Sequence, residues 1–84
     1  MMFVLRETAL MTERQQAAVL LVYGLSSPYH LIDEQPYLGK RQWQKRFSVS
    51  PKTMRSLAKR KFVEYDAKGG VRLTADAWRL VEKV

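Results

Sequence analysis

Ser50-Pro51 fixes a helix start near the middle of this chain. Proline has no amide proton and clashes with the preceding turn inside a helix, so it is tolerated only in the first turn. A serine just before it is a good N-cap, because its hydroxyl can accept an amide that the helix leaves unpaired. Beyond it, Met54, Leu57 and Ala58 fall on one stripe at helical spacing. Ahead of it, Trp43 and Phe47 stand at i, i+4, as neighbours on one helical face do. The pattern predicts two helices, one ending near Phe47 and one running from Pro51 to about Arg60. Ser48-Val-Ser50 is the turn between them, with Val49 able to plug the angle. Lys61 would project back toward the apolar stripe, which is why the second of these helices is expected to stop near Arg60.

The charge sits on the same pair of helices. Nine basic and no acidic residues lie between Lys40 and Lys61, whereas residues 1–39 hold two basic and four acidic side chains and residues 62–84 four of each. The formal net charge of +7 therefore arises from one short stretch. Surface helices ordinarily mix signs, so a merely solvated face accounts for this less well than a surface that meets a polyanion such as DNA. Lys52, Arg55, Ser56, Lys59 and Arg60 spread over the face opposite the stripe, and Lys40, Arg41, Lys45 and Arg46 fall mostly off the Trp43–Phe47 face. Lysine and arginine contacts to phosphates supply affinity, and arginine can also pair bidentately with guanine. Thr53 and Ser56 either touch base edges or phosphates or are ordinary helix-surface residues; Ser50, besides its capping role, is grouped with the candidate contacts.

Eighty-four residues, 46% of them apolar and two of them Trp, describe one folded domain with a modest core rather than a basic tail. Absence of Cys rules out disulfides and thiolate metal sites. The start, Met-Met-Phe-Val-Leu-Arg-Glu, does not read as a secretory signal, and the longest apolar run, Ala17–Tyr23, is too short to span a bilayer. A soluble cytoplasmic protein without membrane contact is expected. His30 has no Cys and no acidic cluster at ligand spacing, which argues against a metal. Asp33-Glu34 reads as a solvated loop pair, and Gly69-Gly70 is not followed by the Gly-Lys-Ser/Thr of a phosphate loop. Neither an enzyme nor a cofactor is expected.

Other elements are read from caps and periodicity. Thr12-Glu-Arg-Gln15 resembles a capping box, opening a helix to about Leu25 that is apolar most of the way round through Ala17, Ala18, Leu20, Leu21, Val22 and Leu25. Phe3–Leu5 is either a short extended arm or a frayed helical turn. Tyr29–Ile32 reads as a short strand, and Pro36 and Gly39 lead into the next helix. Phe62–Tyr65 and Val71–Leu73 alternate like strands, with Val63 and Tyr65 on one face and Val71 and Leu73 on another. Asp66–Gly70 is the hairpin tip, where the two Gly permit positive φ. Lys68 at that tip and Arg72, off the apolar strand face, are further candidate contacts. Thr74 caps a last helix with Ala77, Leu80, Val81 and Val84 at i, i+3, i+4, i+7.

In this order the elements resemble a winged-helix domain. Trp43…Phe47-Ser-Val-Ser…Thr53-Met…Leu57-Ala-Lys-Arg-Lys-Phe-Val63-Glu is similar to the second and third helices of bacterial winged-helix regulators of the MarR-like and PadR-like groups. Lys68-Gly-Gly-Val-Arg-Leu-Thr74-Ala-Asp-Ala-Trp resembles their wing and the helix after it. Lys61 departs from the small residue or Gly common there, and the 26–39 connection is long. The resemblance implies a mainly α fold with a small β-hairpin: a three-helix core, a two-stranded wing and a C-terminal helix. It divides the chain into an arm (1–11), two helices (12–47), turn and recognition helix (48–61), wing (62–74) and C-terminal helix (75–84). It implies that the third helix enters the major groove of double-stranded DNA, as in a small prokaryotic or phage transcriptional regulator selective for sequence or structure. The alternative is a winged helix that docks on protein within a nucleic-acid-handling complex. Trp43, Phe47 and Trp78 are expected in the core. The apolar last helix and the Phe3–Leu5 arm suggest a homodimer interface, with Trp78 a candidate contact.

Overall fold

The computed structural model of the chain describes residues 3–5, 11–25 and 35–83. The expected strand Tyr29–Ile32, His30, Asp33-Glu34 and Val84 lie outside the described residues. The elements in chain order are β1 (Phe3–Leu5), α1 (Glu13–Leu25), a π-helical segment (Gln42–Arg46), α2 (Pro51–Lys59), β2 (Val63–Tyr65), β3 (Val71–Leu73), α3 (Ala75–Leu80) and β4 (Val81–Lys83). The architecture is mainly α with a hairpin, as expected, and a second two-stranded sheet joins the chain ends, with β1 antiparallel to β4.

Local capping sets the helix starts. The Thr12 amide donates to Gln15 Oε1 at 3.0 Å and the Gln15 amide to Thr12 Oγ1 at 3.1 Å, a reciprocal capping box. Ser50 Oγ accepts from the Thr53 amide, and Pro51 is the first residue of α2. Thr74 caps α3 by accepting from the Ala77 amide. At its other end α2 closes in a Schellman motif. Lys61 takes a left-handed φ of 63°, its amide donates to the Ala58 carbonyl, and the Phe62 amide donates to the Leu57 carbonyl. Lysine thus occupies a position where glycine is usual, and this is what ends the helix at Lys59.

The core lies between α1, α2 and the hairpin: Ala18, Val19, Val22, Tyr23, Trp43, Met54, Leu57, Val63, Val71, Leu73 and Ala77 are buried. On α1 this is one face. Ala17 and Leu25 are exposed, so the helix read from the sequence as apolar most of the way round is central on only one side. Trp78 packs its ring on Tyr23 at a centroid distance of 4.7 Å.

Two expectations need correction. The last helix does not continue to the chain end. It stops at Leu80, and Val81 turns extended (φ −89°, ψ 129°) to pair with Leu5, so the i+4 step from Ala77 to Val81 is not helical. This pairing supplies the Phe3–Leu5 backbone with partners and makes that segment a strand. In the hairpin, Val63 lies opposite Leu73 and Tyr65 opposite Val71. Directly paired residues share a face, so all four are on the inner face and Glu64 and Arg72 form the outer one. Of the two tip glycines, both of which permit positive φ, Gly69 adopts it, at 85°.

The hairpin is held at both ends. Asp66 Oδ1 accepts the amides of Lys68 and Gly70, and the Gly69 amide donates to the Asp66 carbonyl. A Cβ on Gly70 would lie 2.8 Å from Asp66 Oδ2, so close approach, not φ, requires glycine there. Along the free side of β3, Leu38 and Val71 exchange backbone bonds of 2.7 and 2.9 Å. Buried Gln35 donates its side-chain amide to the Leu73 carbonyl at 3.1 Å, extending that edge with a side chain in place of backbone.

Candidate nucleic-acid interface

Helix α2 has four sides, and the sequence places a different chemistry on each. Met54 and Leu57 face the core and are fully buried. Lys52, Arg55 and Lys59, spaced i, i+3, i+7, are exposed and stand on the opposite side. Thr53, Ser56 and Arg60 flank α1. Ser56 Oγ donates to the Thr53 carbonyl at 2.7 Å and accepts from Gln15 Nε2 at 2.9 Å. Arg60 Nη1 donates to Gln15 Oε1 at 3.2 Å, and its guanidinium lies 5.3 Å from the centre of the Phe62 ring. On the remaining flank, Pro51 lines a depression shared with Tyr65 of the hairpin, which Arg55 borders from the solvent-facing side.

The basic face of α2 read from the sequence therefore divides. Lys52, Arg55 and Lys59 form one solvent-facing row. Ser56 and Arg60 are turned to α1, where both hydrogen-bond the Gln15 side chain. Ser50 is used as the cap, its hydroxyl also donating to Thr53 Oγ1 at 3.3 Å.

Lys40, Arg41, Lys45 and Arg46 are all exposed around the π-helical segment. In this wider turn the Phe47 amide reaches back to the Gln42 carbonyl, five positions away, at 3.0 Å. Lys40 lies toward the hairpin: a Cβ built on Gly69 would sit 3.0 Å from its Cδ. Arg46 lies over Phe47 at 5.5 Å from the ring centre. Lys68 is exposed at the hairpin tip. Arg72 sits on the outer face of the hairpin, paired with the Glu64 carboxylate and stacked 4.6 Å from the centre of the Tyr37 ring. Its charge is already met by an acid, which sets it apart from the α2 row.

Two concave surfaces formed by described residues border α2. One, of about 600 Å³, runs between α1 and the turn and is lined mainly by Ala17, Ala18, Leu21, Phe47 and Val49, with Arg14 at its side. The other, of about 130 Å³, is lined by Lys40, Trp43, Pro51, Arg55, Tyr65 and Gly69. Tyr65 was read from the sequence only as a strand residue facing the same way as Val63; its position at the hairpin end leaves it 39% exposed. Partial burial holds its phenol above the ordinary value of 10.0, against the opposing charge of Arg55.

Among the described residues no helix is long and apolar enough to cross a membrane. Fold and surface define a small, mainly helical domain with a hairpin and a strongly basic central helix pair. The chain matches no protein-family profile, no curated protein and no solved structure.

Proposed function

We propose that this chain is a winged-helix DNA-binding domain that acts as a small transcriptional regulator, laying α2 into the major groove with Lys52, Arg55 and Lys59 toward the DNA. The observation that carries the reading is that row: three cations on the solvent side of one capped helix, in a stretch with no acidic residue from Lys40 to Lys61. The element order supports it, since a helix pair followed by a hairpin and a short helix is the winged-helix sequence of parts. Lys40, Arg41, Lys45 and Arg46 would meet phosphates beside the groove, and Lys68 at the hairpin tip would meet the backbone further along. Binding to random-sequence duplex DNA, measured across a salt series, tests the proposal. Tight binding that weakens steeply with salt is expected, and salt-independent or absent binding contradicts it.

The apolar groove between α1 and the turn favours a second reading, in which the domain docks on a protein. Under that reading duplex affinity is weak and Ala17→Lys or Leu21→Lys abolishes a protein complex while leaving DNA binding intact. A homodimer is not part of the proposal. The arm that motivated it pairs with β4 inside one chain, Ala77 is buried and Trp78 packs on Tyr23.

A further inference from the structure

Tyr65 is one of two large apolar side chains exposed among the described residues. It stands opposite Val71, where the inner face of the hairpin runs past the core. There it forms, with Trp43 and Pro51, the apolar wall of the small depression, and the charged groups lining that depression are Lys40 and Arg55. Among the described residues no acidic side chain lines it.

The walls are fixed in place. Trp43 Nε1 donates to the Gly69 carbonyl at 3.0 Å, which ties the hairpin tip to the π-helical segment. Gly69 has no side chain, and the Lys40 stem passes where one would be. Arg55 belongs to the solvent-facing row of α2, so the depression opens onto the proposed DNA surface.

An aromatic face beside two cations offers what one nucleotide presents: a π surface for the base and positive charge for its phosphate. Bases inside a duplex already stack on their neighbours, so only an unpaired base can use such a face. We propose that this depression binds an unpaired nucleotide next to the duplex held by α2, its base against the Tyr65 ring and its phosphate between Lys40 and Arg55. The inference rests on the DNA-binding reading above. It adds that the protein prefers DNA with an unpaired end or gap over continuous duplex.

The test compares a blunt duplex with the same duplex carrying short unpaired thymidine tracts at its 3′ and 5′ ends, by fluorescence anisotropy. Protein with Tyr65, and the Tyr65→Phe variant, should bind the tailed duplex roughly tenfold more tightly. Tyr65→Ala should lose that gain and keep the affinity for blunt duplex. A 2-aminopurine placed in the tail should lose fluorescence on binding the parent or Tyr65→Phe protein and not on binding Tyr65→Ala. If blunt duplex binds and the tails add nothing, or if Tyr65→Ala keeps the gain, the nucleotide site is overturned and the duplex reading stands. Failure of every DNA to bind overturns both.

Discussion

Trp43 donates its indole N–H to the backbone carbonyl of Gly69 at 3.0 Å, across 26 positions of sequence. The bond sets the hairpin tip against the basic segment that holds Lys40, so it positions the candidate site as well as closing the core. Trp43→Phe removes the donor and leaves a smaller ring in a fully packed place. Urea unfolding is expected to show a loss of about 2 kcal/mol. An unchanged midpoint would mean the indole bond is not formed in solution.

Lys61 holds a left-handed φ of 63° at the end of α2. That conformation costs a residue with a Cβ about 1 kcal/mol relative to glycine. Lys61→Gly should raise the melting temperature by about 4–8 °C for each kcal/mol recovered in a domain of this size. The neighbouring contact gives a control: Thr74 Oγ1 donates to the Lys61 carbonyl at 2.6 Å and also caps α3. Thr74→Val should destabilise by about 1 kcal/mol or more, and Thr74→Ser much less.

Gln15 joins α1 to α2 through Ser56 and Arg60 while closing its own capping box. Gln15→Ala is expected to cost about 1–2 kcal/mol of stability. In a double-mutant cycle with Ser56→Ala a coupling of about 0.5 kcal/mol or more should appear. Strict additivity would show that the two side chains do not interact.

What the sequence made legible was local. Thr12 with Gln15, Ser50 with Pro51, and Thr74 each act within one turn of backbone, and each cap is found where the residues put it. The non-local parts were hidden. Val81 fits a helical stripe as well as a strand, and only its pairing with Leu5 at the far end of the chain decides between them. A helical wheel opposes Lys52, Arg55, Ser56 and Arg60 to the Met54–Leu57 stripe alike. It cannot say which flank α1 covers, so Ser56 and Arg60 were grouped with residues that the fold keeps exposed. Tyr65 was missed because alternation reports the face of a strand and not where the core beneath it ends. Its position one residue before the hairpin tip was the available signal.

Burial of Tyr65 raises its pKa above 10.0, and Arg55 opposes the shift. The folded state thus favours the protonated phenol. Its contribution is fully present below the ordinary tyrosine value and is lost as pH rises through the raised one. Stability measured across that alkaline range should fall more steeply for the parent protein than for Tyr65→Phe. Parallel curves would place Tyr65 in an environment like that of water.

The central claim is that the exposed row of α2 carries the DNA contacts. The most direct test is the slope of log K against log salt for duplex binding by the parent protein, by Arg55→Ala with Lys59→Ala, and by Ser56→Ala with Arg60→Ala. Each lost phosphate contact flattens the slope by roughly 0.9. The account predicts a flattening of roughly 1.8 for the Arg55 and Lys59 pair at unchanged melting temperature. For the Ser56 and Arg60 pair it predicts a parental slope with a lowered melting temperature. The opposite assignment of the two effects, or parental affinity after loss of Arg55 and Lys59, would contradict it.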